Sequence, residues 1–101
     1  MRLTFRDPRL AHIRGPRAAA ETGLPIPVIS SAQKKIQFLE AAHDERDIRN
    51  WKSLHYEKLI GDREGQRSIR LNAQWRLVFV LEEGTSPPTI EILEIEDYHH
   101  G

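Results

Sequence analysis

Residues 65–80, GQRSIRLNAQWRLVFV, constrain the fold more than any other stretch of this chain. Ile69 and Leu71 alternate with polar neighbours, and Trp75, Leu77 and Phe79 repeat the pattern after a short break. Alternation at period two marks strands with one buried face, and two such runs around a short polar break read as a β-hairpin. Side chains change face at every residue, so with odd positions facing the core on both arms, paired positions sum to an even number. Arg70 and Arg76 then share the opposite face. With the turn centred on Ala73 they stand directly across from each other. Like charges opposed on a sheet cost up to about 1 kcal/mol relative to a neutral pair. Something must offset that: a carboxylate from the last strand, or a bound anion. The planar fork of arginine suits phosphate. The plainer alternative is two solvated strand arginines with Glu94 or Glu96 as neighbours.

The rest of the chain supplies the elements around this hairpin. RLTFR, residues 2–6, alternates like a short strand. Asp7-Pro8 suits the start of a short helix reaching about Ile13, which Gly15-Pro16 interrupts. RAAAET, residues 17–22, adds a helical turn closed by Gly23, and GLPIPV reads as extended. Ser30 with Gln33 resembles a capping box. From there Ala32, Ile36, Leu39 and His43 recur at helical spacing, predicting a helix over 31–43. DERDIRN reads as a polar connection, LHYEKLI (54–60) as a strand and GDREG as a turn. TIEILEIE closes the chain as a strand whose alternation slips between Ile92 and Leu93, the signature of a bulge. The order predicts a single α+β domain over 1–101, with helices packed on one face of a largely antiparallel sheet.

Charge is distributed unevenly. All 15 Lys and Arg lie in residues 1–76 with 9 of the 15 acids, a surplus of six positive charges, while residues 77–101 carry the six remaining acids. A basic body suits a polyanion, and cross-strand pairing of the late glutamates with arginines is the equal alternative. Cysteine is absent, which excludes a disulfide scaffold, a thiol nucleophile and a Cys-type zinc site. No run of about 18 apolar residues suggests a membrane span, and MRLTFRDPRL lacks the apolar segment of a secretory signal. A cytoplasmic address fits.

Candidate chemistry concentrates in a few places. The ending EDYHHG groups Asp97, Tyr98 and His99, and histidine titrates near neutrality. A polar tail, with His100-Gly101 as a tag remnant, is the alternative. His55 is a second proton-transfer candidate and Lys58 a second phosphate contact; ordinary half-exposed strand residues are the alternative for both. His12 and His43 read as structural. Adjacent His99 and His100 lack a spaced third ligand for a metal. No P-loop, dinucleotide signature or Ser-His-Asp spacing occurs.

GDREGQRSIRLNAQWRLVF followed by an acidic strand ending in DYH resembles the HigB-like toxins of bacterial toxin–antitoxin systems, within the RelE/ParE superfamily. The likeness is strongest over 58–80 and 97–99 and weak over 8–30. It implies a small cytoplasmic endoribonuclease that cuts messenger RNA in the ribosomal A site, without metal or cofactor. It also implies a HigA-like helix-turn-helix antitoxin as partner, with operator DNA bound only through that complex. By motif position, Arg70 and Arg76 correspond to the phosphate-contacting arginines, and Asp97, Tyr98 and His99 to the terminal catalytic group. Relatives that read H-P-L-K-G-D carry His and Lys where this chain has Glu57 and Ile60; His55 and Lys58 lie two residues upstream of those positions. The basic stretch from Arg2 to Arg17 and the Lys34-Lys35 pair are the expected ribosome contacts. ParE-like relatives that block DNA gyrase, and a mild member retained mainly for antitoxin binding and operon regulation, are the competing readings.

Overall fold

The hairpin forms with the parity its sequence requires. In the computed structural model, which describes residues 1–98, β3 (Arg67–Arg70) pairs antiparallel with β4 (Trp75–Glu82). Ile69 faces Leu77, and Arg70 faces Arg76. Asn72 shapes the turn: its Oδ1 accepts from the Gln74 and Trp75 backbone N–H groups, both at 2.8 Å.

Three more strands complete a five-stranded sheet ordered β1-β5-β4-β3-β2, with β1 (Arg2–Phe5), β2 (Glu57–Lys58) and β5 (Thr89–Asp97). The β1–β5 pair is parallel and the others antiparallel. The bulge falls where the alternation slips. Phe79 pairs with Ile92 but Val78 pairs with Glu94, so Leu93 is the surplus residue. Before it, even-numbered Ile90 and Ile92 face the core; after it, odd-numbered Ile95 packs against the core.

Helices α1 (Ala18–Thr22), α2 (Ile26–Ala41) and α3 (Glu45–Asn50) accompany this sheet. Ile13, Ala32, Ile36, Leu39, Ile48 and Leu54 share one buried cluster with Ile69, Leu77, Phe79, Ile90 and Ile92. Burying a side chain of this size contributes about 1.5–3 kcal/mol, so the cluster is what joins the layers. α1 ends at Gly23, whose φ of 72° is the left-handed cap that glycine adopts without steric cost.

Five local expectations are corrected. GLPIPV is not extended throughout: α2 begins at Ile26, with extended Pro25 as its N-cap. Pro27 falls in the first turn, where a missing N–H costs nothing, and burial of Val28 and Ile29 outweighs the restriction on the residue before a proline. The Ser30–Gln33 capping box therefore does not form. Gln33 Nε2 instead donates to the Ile13 carbonyl at 2.8 Å. His43 lies beyond the helix and is exposed, because Ala42 already leaves it as an extended C-cap. DERDIRN is not a loop: Asp44 accepts from the Arg46 N–H at 2.9 Å and caps α3, which buries Ile48. The strand expected over 54–60 shrinks to Glu57–Lys58, because Leu54 ends a 3-10 turn and His55 turns left-handed at φ 48°.

Candidate active site

Arg70 and Arg76 face away from the helices and converge on His55. Arg76 Nη2 donates to the His55 carbonyl at 2.7 Å, and its Nε donates to Ser68 Oγ at 2.9 Å. Arg70 Nη1 lies 3.1 Å from His55 Nε2, which accepts when that nitrogen carries no proton; Arg70 Nε donates to the Asn72 carbonyl at 3.2 Å. Among the described residues, then, the hydrogen bonds of both guanidinium groups go to neutral acceptors. Glu57 Oε1 stands 3.8 Å from Arg76 Nη2. The guanidinium carbon of Arg76 also lies 5.2 Å from the centre of the Tyr98 ring, a cation–π distance.

The glutamates expected as neighbours of Arg70 and Arg76 are engaged elsewhere. Glu96 is the cross-strand partner of Arg76, yet its Oε1 accepts from Arg63 Nη1 at 3.0 Å. Glu94 Oε1 lies 3.8 Å from the same guanidinium. Glu91 pairs with Arg6 at 2.8 Å. The charge asymmetry of the chain is thus partly resolved by ion pairs along β5, while Arg70 and Arg76 keep two positive charges side by side.

His55 occupies a backbone region that non-glycine residues enter at a cost of about 1–3 kcal/mol. Its own N–H donates to the Lys52 carbonyl at 3.1 Å, and its carbonyl is held by Arg76. These bonds fix the imidazole beside Arg70.

The remaining candidates divide. Tyr98 joins the arginine face, and its N–H donates to the Gln74 carbonyl. Asp97 pairs in register with Trp75, and its Oδ2 accepts from Gln74 Nε2 at 3.0 Å at the hairpin's turn end. His99 and His100 lie outside the described residues. Lys58 is not brought to the arginines. It pairs in register with Arg67, which faces Phe79, so it belongs to the helix side of the sheet. Among the described residues no group of three His, Cys, Asp or Glu is placed to hold a metal. No helix among them is long and apolar enough to cross a membrane.

Sequence reasoning missed Ser68 and Arg63. Ser68 shares even parity with Arg70 and Arg76, so the argument that paired the arginines also places its hydroxyl beside them. It missed a second cluster as well. Arg67 Nη1 donates to Glu45 Oε2 at 2.7 Å and to the Tyr56 hydroxyl at 2.8 Å, and that hydroxyl donates to Glu45 Oε2 at 2.6 Å. Burial works against ionisation of Glu45, yet the Tyr56 hydrogen bond and the charges of Arg67 and Arg49 hold its carboxyl below the usual range. Burial and the Glu45 carboxylate push the Tyr56 phenol up.

Residues 19–94 match the family model described as the RelE-like toxin of the type II toxin–antitoxin system HigB. The chain is similar to Toxin HigB-1 of Vibrio cholerae, with 33% identity over 63 residues that span 62% of this chain and 66% of that relative. In fold it resembles a YoeB/ParE toxin from Agrobacterium tumefaciens, with TM-score 0.61 and 16% identity over 98% of this chain and 100% of that one. It also resembles the YoeB–YefM complex from Staphylococcus aureus, with TM-score 0.58 and 17% identity over 99% and 98% of the two chains. The mixed sheet with helices on one face, and a matched span covering most of the chain, place this protein in the HigB-like family of RelE-like toxins of type II toxin–antitoxin systems.

Proposed function

We propose that this toxin is a metal-independent endoribonuclease that cuts messenger RNA on the ribosome and is neutralised by a HigA-like helix-turn-helix antitoxin. The observation that carries the reading is the convergence of Arg70 and Arg76 on His55, with two guanidinium charges side by side and hydrogen-bonded to neutral groups. Such a pair is suited to a phosphate that gains negative charge during reaction.

In the proposed reaction a ribose 2′-oxygen attacks the adjacent phosphorus while a base removes the 2′-OH proton. The P–O5′ bond breaks, and an acid protonates the departing 5′-oxygen. The products are a 2′,3′-cyclic phosphate and a 5′-hydroxyl. Arg70 and Arg76 stabilise the phosphorane. His99 and His55 are the candidates for moving the protons, worth about 10²–10⁴-fold in rate. Tyr98 positions a base or stacks on it, and Asp97 orients the terminal group. Lys58, on the other side of the sheet, is assigned no step.

The similarity to a toxin solved in complex with YefM supports an antitoxin partner. Basic residues from Arg2 to Arg17 and Lys34-Lys35 are the proposed ribosome contacts, and binding there weakens with salt. Primer extension on cellular messages after induction tests the reading. Codon-linked cleavage that leaves 2′,3′-cyclic phosphate and 5′-hydroxyl ends, reproduced in a purified translation system, is the expected result. Intact messages with DNA damage instead indicate gyrase inhibition. Intact messages with unimpaired growth indicate a regulatory member that only binds its antitoxin.

A further inference from the structure

The GDREG turn matches no phosphate loop, yet it delivers Arg63 to the site face. We propose that Arg63 is a positioning residue for the nuclease reaction: by holding Glu96, it keeps that carboxylate from pairing with the guanidinium of Arg76, which then stays directed at phosphate. This rests on the nuclease reading above.

Strand register creates the problem that Arg63 solves. Glu96 is directly opposite Arg76 across β4 and β5. A carboxylate and a guanidinium at such positions, with Cβ atoms about 4.5–5.5 Å apart, ordinarily pair. Here they do not. Arg63 Nη1 bonds Glu96 Oε1 at 3.0 Å, and Arg63 Nη2 lies 3.8 Å from Glu94 Oε1. Gln66 Oε1 accepts from Arg63 Nε at 3.3 Å and steadies the turn. Arg76 leans the other way, onto Ser68 and the His55 carbonyl, with Glu57 Oε1 3.8 Å from its Nη2.

The electrostatics agree. Burial disfavours the charge on Glu96, but hydrogen bonds from Arg63 and Glu94, and then the charges of Arg63 and of Arg76, hold its carboxyl below the ordinary range. The carboxyl of Glu94 is pushed up, first by its hydrogen bond to Glu96. The carboxylate opposite Arg76 and the next one on the same face of β5 therefore take Arg63 as their hydrogen-bonding or nearest paired cation. Without Arg63, the cation that the strand register sets opposite Glu96 is Arg76. A guanidinium drawn into that ion pair must break it before binding phosphate.

The test is a set of variants in the full chain. Arg63→Ala is expected to lower ribosome-dependent cleavage at least tenfold, and Arg63→Lys to keep most of it. The double variant Arg63→Ala/Glu96→Gln is expected to recover activity to within a few-fold of wild type, because a neutral residue 96 no longer competes for Arg76. Glu96→Gln alone stays active. Crystal structures of Arg63→Ala and the double variant provide a readout independent of nuclease activity, with Arg76 paired to Glu96 in the first and returned to Ser68 and His55 in the second. Full activity in Arg63→Ala, or no recovery in a folded double variant, overturns the proposal. A wild-type protein that cuts no message sinks the nuclease reading alone, and the position of Arg76 in the Arg63→Ala crystal then decides whether Arg63 directs it.

Discussion

Arg67 and Arg76 lie on neighbouring strands and are about equally enclosed, with 17% and 11% of their side-chain surface exposed, but they are used in opposite ways. Arg67 faces the helices and gives its charge to Glu45 within the cluster with Tyr56. Arg76 faces away and hydrogen-bonds a hydroxyl and a carbonyl, with the Glu57 carboxylate 3.8 Å from its Nη2 rather than in direct hydrogen bond. Burial alone does not separate a structural arginine from a functional one. The two differ in their acceptors: a carboxylate bonded at 2.7 Å takes up the charge of Arg67, whereas a hydroxyl and a carbonyl fix the direction of Arg76.

The contrast breaks most sharply at Arg76. Arg76→Ala is expected to lower cleavage about 10²–10³-fold, the usual loss for one preorganised contact to developing charge, and to abolish growth arrest while the circular dichroism spectrum is unchanged. A toxic, folded Arg76→Ala protein removes the distinction. His55→Asn comes next. Asparagine tolerates the left-handed backbone, so the variant removes the imidazole without adding strain. A fall in turnover of about 10²-fold is expected if the ring moves a proton, and unchanged kinetics reduce His55 to a backbone acceptor for Arg76.

The structural half of the comparison is tested by stability. Arg67→Ala leaves the Glu45 carboxylate and the Tyr56 phenol short of a donor, at a cost of about 1–3 kcal/mol. In a domain this small each kcal/mol lowers the melting temperature by about 4–8 °C. Cleavage measured well below the transition is expected to match wild type. The smallest effect is in pH. Glu45 ionises more readily folded than unfolded, so its contribution is complete above the ordinary carboxylate range, near pH ~4, and is lost as pH falls through its depressed folded value. Glu45→Gln is expected to flatten the acid side of a denaturation-midpoint profile.

The site face was legible because strand parity is rigid. Ile69, Leu77 and Phe79 have to be buried, and that alone puts Arg70 opposite Arg76. The bulge could be read the same way. Less was readable where tertiary contacts overrule local tendency. α3 exists because Ile48 finds the core, although DERDIRN offers only one apolar residue to a reader. The strand expected at 54–60 failed because His55 adopts a backbone conformation that its residue type gives no reason to expect. The Glu45–Tyr56–Arg67 cluster joins residues 11 and 22 positions apart, and spacing in sequence carries no trace of it.

Leu93 sets a limit on how this toxin can change over time. Because one surplus residue reverses the in-out sequence midway along β5, Ile90 and Ile92 point toward the helices while Tyr98, also even-numbered, lies beside Arg76. Losing a single codon there would invert every position on one side of the gap, driving glutamates inward or isoleucines outward. That strand can drift in composition while its reading length stays frozen, so lineages of such toxins should accumulate substitutions along it but not insertions or deletions.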